Sequence, residues 1–256
     1  GGRRSVGMVV RRLAVEIDPR SALSTRGPTP GPGAGLSVDE GDRPPPGWGD
    51  VCAFDGVEVA TLRTDTTADA PGHAVRGPGD PAAAERRFRT IEEKWGALVG
   101  MASHTIRGPI PAGRPGPVAR DGACVRDDPF NWGDPDDPRG PCGDYFPVIH
   151  VRGDAELRSG AVGQGILLVD GDLTLGDGAR FRGLVVVRGR LGASGGASEV
   201  SGAVVAGSAG PVEGGLRLSF SSCALRRAGL EAGALVRIDP LERRGWIDLS
   251  GIEGLF

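Results

Sequence analysis

The chain has 256 residues, carries a formal net charge of -3, and contains 45 glycines and 21 prolines. Its basic side chains form no cluster beyond Arg-Arg pairs, which argues against a nucleic-acid-binding surface. No run of eighteen apolar residues occurs, so no segment of the printed sequence is predicted to span a membrane.

The first predicted element is a long N-terminal strand, which we assign to residues 1–17. Residues 6–17 are rich in β-branched side chains, and their apolar side changes midway, which is typical of a strand with a bulge. Because the chain begins Gly1-Gly2 without an initiator methionine, we expect the natural product to be longer here and an anchor to be missing.

Residues 18–147 are predicted to form a largely irregular region with one helix. Within this region, residues 22–40 alternate weakly between glycines, and we interpret them as one degenerate turn of the repeat described below. Asp80 and Pro81 are typical of a helix start, and an apolar stripe predicts a helix over 81–106 that packs on an open side or end of the repeat. The stripe consists of Phe88, Ile91, Trp95, Leu98, Val99, Ala102 and Ile106.

Residues 107–147 are predicted to be a loop with a dense acidic patch. The spacing of its aspartates does not fit an EF-hand, so we interpret the patch as a solvated loop rather than a calcium site. The patch consists of Asp127, Asp128, Asp134, Asp136 and Asp137.

Residues 148–208 repeat every 18 residues and dominate the fold prediction. Gly153, Gly171, Gly189 and Gly207 are 18 apart, and each closes a short, mostly apolar run. A fixed period with an apolar run in each copy is typical of a stacked repeat. The alternative, two β-hairpins with chance spacing, does not explain four glycines in register.

Apolar residues also recur every six positions within each copy, which predicts three faces of about six residues per turn. We expect Val151, Val169, Val187 and Val205 to align inside the coil, one rung apart. The predicted fold is therefore mainly β, a short three-faced β-solenoid with 18-residue rungs and one packed amphipathic helix. The handedness of the solenoid does not follow from the period.

Residues 209–256 are predicted to form a C-terminal α/β cap, because a solenoid needs its apolar ends covered. We expect a strand over 216–220, a short helix that ends by Gly233, and a final strand from Arg237 to Leu249. Residues 18–256 are expected to form one folding unit.

The four cysteines are Cys52, Cys124, Cys142 and Cys223, and they include no CxxC pair. With only three histidines in the chain, a zinc site is not favoured. An even number of cysteines in a loop-rich chain indicates disulfides and an oxidising compartment. We favour Cys124–Cys142, which closes the loop between them, and then Cys52–Cys223; four reduced, buried thiols are the alternative.

The 18-residue period places Asp154 above Asp172, with Arg190 next, and Asp170 on the opposite side of its strand. Two carboxylates one rung apart are weak candidates for calcium binding or for acid/base catalysis. A solvated turn, in which arginine offsets the repulsion, explains the same ladder. We expect Asp154 and Asp172 to stand on an open, convex turn and Asp170 to point away.

No sequence motif assigns a catalytic or cofactor-binding residue. His150 lies between apolar residues of a strand and is interpreted as a packed or outward residue rather than a base. His73 and His104 lie elsewhere, without a matching cysteine or serine motif, and the chain lacks GxSxG, HExxH and P-loop motifs.

Several strings resemble the soluble part of PilX-type bacterial pilus assembly proteins. The most specific is GQGILLVDGDL at 163–173, and CGDYFPVIH at 142–150 and FRGLVVVRGRL at 181–191 are similar to that family as well. Five further segments are less closely similar to the family. They are SSCAL at 221–225, ALSTRG at 22–27, PPGWGDVC at 45–52, the tryptophan-bearing helix and Arg244-Gly-Trp246. The resemblance implies a hydrophobic N-terminal prepilin-like helix, absent here, and a periplasmic or surface-exposed solenoid domain without catalytic residues.

The leading hypothesis is a non-enzymatic cell-envelope protein, a minor-pilin-like component of type IV pilus assembly whose solenoid presents a surface. It predicts other pilin-like or envelope proteins as partners, no nucleic acid, no cofactor, and membrane contact only through the missing helix. One alternative is a carbohydrate-active β-helix enzyme with a calcium-linked site at Asp154, Asp170 and Asp172. Another is a bactofilin-like polymer, in which solenoid ends stack between subunits.

Overall fold

The computed structural model describes residues 6–8, 10–17, 19, 21–27, 35–54, 81–231, 234–240 and 246–248. The helices are α1 (Gly49–Phe54), α2 (Pro81–Val99) and α3 (Ser222–Arg227). The strands before α2 are β1 (Val6–Met8), β2 (Val10–Glu16), β3 (Leu23–Thr25) and β4 (Leu36–Asp39). Between α2 and α3 lie β5 (His104–Arg107), β6 (Ala119–Arg120), β7 (Ala123–Cys124), β8 (Val148–Arg152), β9 (Ala155–Leu157), β10 (Val162–Val169), β11 (Leu173–Leu175), β12 (Arg180–Ala193), β13 (Ala197–Val212) and β14 (Gly215–Phe220). After α3 come β15 (Leu230–Glu231), β16 (Ala234–Pro240) and β17 (Trp246–Asp248).

Ten strands form one parallel sheet that winds into a solenoid with three faces, as the sequence predicts. We name each face by what lies against its outer side. The helix face contains residues 148–151, 166–169, 184–187 and 203–206. The open face contains 155–157, 173–175, 191–193 and 209–212, and the loop face contains 162–164, 180–182, 199–201 and 217–219.

The corner between the loop face and the helix face is built from glycine. Here β10, β12 and β13 bend without a break at Gly165, Gly183 and Gly202, where φ is +104°, +129° and +140°. Side chains other than glycine rarely adopt this conformation. A Cβ at Gly183 would overlap the carbonyl oxygen of Gly165, and one at Gly202 would overlap that of Gly183.

The register of the helix face confirms three of the four valines predicted to align. Val151 pairs with Val169, and Val169 pairs with Val187. The fourth prediction is wrong, because Ala206 pairs with Val187. Val205 instead pairs with Val186, on the outer side of the strand.

Two irregularities explain this shift. The turn after Ala193 has one residue more than the equivalent turn after Leu175, so Arg180 pairs with Glu199, nineteen positions on. The following corner has one residue fewer, and the pairing of Arg190 with Ser208 is again eighteen positions apart. The glycine period therefore stays constant while the apolar row between the two irregularities moves by one residue.

Strands from outside the repeat extend the solenoid at both ends. β5 pairs with β8 at the N-terminal end of the helix face. At the other end, β3 pairs with β13 and β4 pairs with β14, all in parallel. β3 and β4, which lie within the weakly alternating stretch 22–40, thus contribute to the solenoid, as predicted.

Helix α2 covers the outer side of the helix face. Its Phe88, Ile91 and Leu98 are buried in the main hydrophobic core. The prediction that this helix continues to residue 106 is wrong, because α2 ends at Val99 and Ile106 lies in β5. Gly100 follows the last helical residue, and its N–H bonds to the carbonyl oxygen of Gly96. The predicted N-cap, Asp80, lies outside the described residues.

The two ends of the chain pair with each other in antiparallel fashion. β1 pairs with β17, and β2 pairs with β16. β1 and β2 lie within the predicted N-terminal strand, and β16 and β17 lie in the region of the predicted final strand from Arg237 to Leu249. In the predicted C-terminal α/β element, Ala228 after α3 lies next to Gly183 at the glycine corner.

Both predicted disulfides are confirmed. Cys124 is bonded to Cys142, and Cys52 is bonded to Cys223. The second bond joins α1 to α3 in a small cluster with Trp48, which is fully buried. Cys52–Cys223 therefore links α1 to α3, whereas Cys124–Cys142 closes a loop within the irregular region.

Candidate functional site

The predicted aspartate ladder is present at the corner between the helix face and the open face. Asp154 Oδ1 accepts a hydrogen bond from the backbone N–H of Asp172 at 2.8 Å. One rung further, Asp172 Oδ1 accepts from the backbone N–H of Arg190, also at 2.8 Å. Each carboxylate thus binds the backbone of the next rung, which is a structural role.

Arg190 completes the ladder and keeps Asp172 charged. Its Nε and Nη2 lie 2.9 Å and 2.8 Å from Asp172 Oδ2. The hydrogen bond from the Arg190 backbone N–H is the main cause that lowers the pKa of Asp172; burial opposes it, and the Arg190 side chain lowers the pKa further. A general acid needs a raised pKa, so Asp172 is unsuited to that role.

Asp170 lies apart from this ladder, as predicted, under helix α2. Its Oδ1 accepts a hydrogen bond from Trp95 Nε1 at 3.0 Å, and its Oδ2 lies 3.1 Å from His150 Nε2. The structure therefore does not bring Asp154, Asp170 and Asp172 together. No group of three or more His, Cys, Asp or Glu side chains in the described ranges is arranged to hold a metal ion.

His150 is a packed residue on the outer side of the helix face. Its side chain is only 4% exposed, and the Trp95 ring lies edge-on against it with ring centroids 6.2 Å apart. Arg188 stacks over the Trp95 ring and binds Glu92 of α2 through two hydrogen bonds of 2.8 Å and 2.9 Å. This polar cluster fixes the helix on the solenoid, and the interpretation of His150 as packed is confirmed.

His104 lies at the start of the edge strand β5. Its Nε2 is 2.7 Å from the Tyr145 hydroxyl, which in turn donates to the Arg126 carbonyl oxygen. Burial is the main cause that lowers the pKa of His104 and raises the pKa of Tyr145. The pair supports the loop through partly buried hydrogen bonds, and His73 lies outside the described residues.

The acidic loop is tied to its surroundings rather than arranged around an ion. Asp128 binds Arg114 at 2.7 Å, and Asp134 Oδ1 accepts from the backbone N–H groups of Asp136 and Asp137. Asp136 also binds Arg180 of the loop face at 2.6 Å. These contacts hold the loop against the solenoid.

A groove of about 600 Å³ lies at the N-terminal end of the open face. We call it the notch. One wall is the segment 108–110, which follows β5, and the opposite side is β9 with its flanking residues. The polar residues that line it are Arg152, Asp154, Glu156, Arg158, Asp172 and Thr174.

Sequence reasoning missed the notch because it placed residues 104–106 in a helix and 107–110 in a loop. Two signals were available in the printed sequence. Thr105 and Ile106 are β-branched residues, which favour a strand. Gly108-Pro109 directly after them favours a chain that leaves the sheet.

Comparison of the chain with protein-family models, with curated proteins and with solved structures finds no match. Among the described residues, no helix is both long enough and apolar enough to cross a membrane.

Proposed function

We propose that this chain is a non-enzymatic cell-envelope protein, a minor-pilin-like component of pilus assembly that presents one face of its solenoid to partner proteins. The resemblance of residues 142–191 to PilX-type proteins supports this role. So do the two disulfides, because such bonds persist in oxidising compartments outside the cytoplasm. On this proposal the protein acts in the periplasm or at the cell surface, anchored through an N-terminal helix.

The main observation that supports the proposal is the difference between the packed inner side and the exposed outer side of the open face. Leu157, Leu173 and Leu175 of the open face are at most 2% exposed on its inner side. Glu156, on the outer side of the same face, is exposed. An outer side with exposed polar residues on a packed scaffold suits recognition of a partner, since little backbone ordering is needed on binding.

The test is made in a bacterium that encodes the protein. We expect the tagged full-length protein to co-purify with sheared surface filaments, and deletion of its gene to reduce filament number. Periplasmic labelling with a thiol reagent should modify no cysteine of the native protein before reduction. A reduced protein in the cytoplasmic fraction, with filaments unchanged in the deletion strain, would contradict the proposal.

The notch favours a carbohydrate-active enzyme as a second candidate, because Asp154, Glu156 and Asp172 all line it. On this reading calcium would bridge the carboxylates. Calorimetric titration of the purified domain with calcium tests it, with Asp154→Ala and Asp172→Ala as variants. Micromolar binding that is lost in both variants would favour the enzyme over the envelope component.

A further inference from the structure

The notch arises because the open face begins one strand later than the helix face. β5 precedes β8 on the helix face. On the open face, β9 is the first strand, and in the described part of the chain it pairs only with β11. Residues 108–110 follow β5 but leave the sheet at this level, so the notch occupies the place of one further strand.

The free edge of β9 exposes one residue's backbone groups to the notch. Ala155 donates its N–H to Asp172, and Leu157 accepts from Gly176, so both residues face β11. In a parallel pair, alternate residues direct their backbone groups to opposite sides. The N–H and C=O of Glu156 therefore face away from β11, and no partner for them is found in the described ranges.

Two arginines lie side by side where the notch begins: Arg152 lines it, and Arg107 directly precedes the lining residue Gly108. Arg107 is the register partner of Arg152, on neighbouring strands that lie about 4.8 Å apart. Both residues are exposed, and neither side chain has an ion pair or hydrogen bond with any described residue. Like charges side by side on adjacent strands are unfavourable, and an anionic group between them removes the repulsion.

We propose that the notch binds an extended, acidic segment of a partner protein, which adds to the sheet as one strand beside β9. Its backbone would bond to the N–H and C=O of Glu156, and a carboxylate of the segment would lie between Arg107 and Arg152. In this binding mode, strand addition at a free sheet edge, backbone hydrogen bonds supply the affinity and charged side chains supply the specificity. The inference rests on the proposed interaction role and identifies the surface and chemistry of the partner.

The direct test uses the whole chain and a fluorescein-labelled, end-capped heptapeptide of sequence TEVTVET. We expect it to bind more tightly than the charge-reversed peptide TKVTVKT, by about tenfold or more, and more weakly as salt rises. Binding should also slow hydrogen exchange of the Glu156 amide. Equal affinity for the two peptides would overturn the proposal.

Two variants with the same charge change distinguish the notch from the rest of the surface. Arg152→Glu should weaken binding of TEVTVET about tenfold or more, since it removes one half of the anion site. Arg217→Glu, an exposed position on the loop face, should leave binding unchanged. Equal loss in both variants would show that the peptide responds only to overall charge, and would contradict the inference.

A third variant tests the backbone contribution. Glu156→Pro removes the N–H that faces the notch and leaves the bonds of β9 to β11 in place. It should weaken peptide binding while circular dichroism and the melting temperature stay close to the parent values. If that variant unfolds, the exchange rate of Glu156 in the parent protein decides the same question.

The tests separate this inference from the pilus proposal. Co-purification with filaments together with no peptide preference would overturn the notch inference alone. A clear peptide preference with no filament phenotype would overturn the pilus role alone. Self-association of the chain that Arg152→Glu abolishes would place a second copy in the notch and contradict the acidic partner.

Discussion

The helix face and the open face share one interior but differ on their outer sides. On the helix face, the outward row Leu168, Val186 and Val205 is at most 1% exposed because α2 lies over it. On the open face, the outward residue Glu156 is exposed and the outward residue Thr174 is partly exposed. The outward residues of each face therefore indicate what packs against it, while the inward residues indicate only that the strands stack.

The largest expected effect that separates the two faces comes from removing an outward side chain on each. Leu168→Ala should reduce the free energy of unfolding by about 2–5 kcal/mol, because it leaves a cavity beneath α2. Thr174→Ala should change it by less than about 0.5 kcal/mol, because its side chain is partly exposed and outside the core. Urea denaturation of both variants measures the difference. Similar losses in the two variants would show that the open face is covered as well.

A smaller loss of stability is expected from removing a polar contact that holds helix α2 on the helix face. Trp95→Phe keeps most of the apolar ring but removes the hydrogen bond from Nε1 to Asp170. We expect a loss of about 1–3 kcal/mol, since a partly buried carboxylate loses a donor. Urea denaturation gives the value, and Glu93→Ala, at an exposed position of the same helix, serves as a control. A loss no greater than that of the control would contradict the anchoring role of Asp170.

The smallest effect is expected at the corner of the open face. The pKa of Asp172 is lowered in the folded protein, mainly by the Arg190 backbone N–H. Its contribution is therefore present above the unfolded value, near 3.8, and is lost as the pH falls through the folded pKa. Because the side chain is 37% exposed, Asp172→Asn should cost less than about 1 kcal/mol at pH 7. The difference between parent and variant should disappear in urea titrations at about pH 2; a difference that persists there would have another cause.

The repeating part of the fold could be predicted because stacking makes each rung reproduce the environment of the one before. Glycines and apolar residues recur for that reason, and the weak alternation over 22–40 carries the same information. The position of Val205 could not be predicted from the glycine period. The turn before it has one residue more and the corner after it has one residue fewer, so the spacing of the glycines stays at 18. The end of α2 was missed because Ala102 and Ile106 continue the helical spacing although their backbone turns away and enters a strand.

The disulfides were predictable as a pairing from loop closure and elimination, and the aspartate ladder followed from the period. The cluster of Trp95, His150 and Asp170 did not, because it depends on which face α2 covers, and the period is the same for all three faces. The notch was missed for a related reason. It lies where two faces have different numbers of strands, and that difference depends on where residues far outside the repeat join the sheet.

The glycine corner sets the unit in which this protein can lengthen or shorten. At Gly165, Gly183 and Gly202, the space of the absent side chain is filled by the carbonyl oxygen of the preceding rung. Each new rung must therefore bring its own glycine, and a gene duplication that copies one complete rung does so automatically. A shorter insertion displaces that glycine from the corner, unless a second change nearby restores the count, as after Ala193 and Ala206. The length of such a protein thus changes by whole rungs, each with its own increment of outer surface.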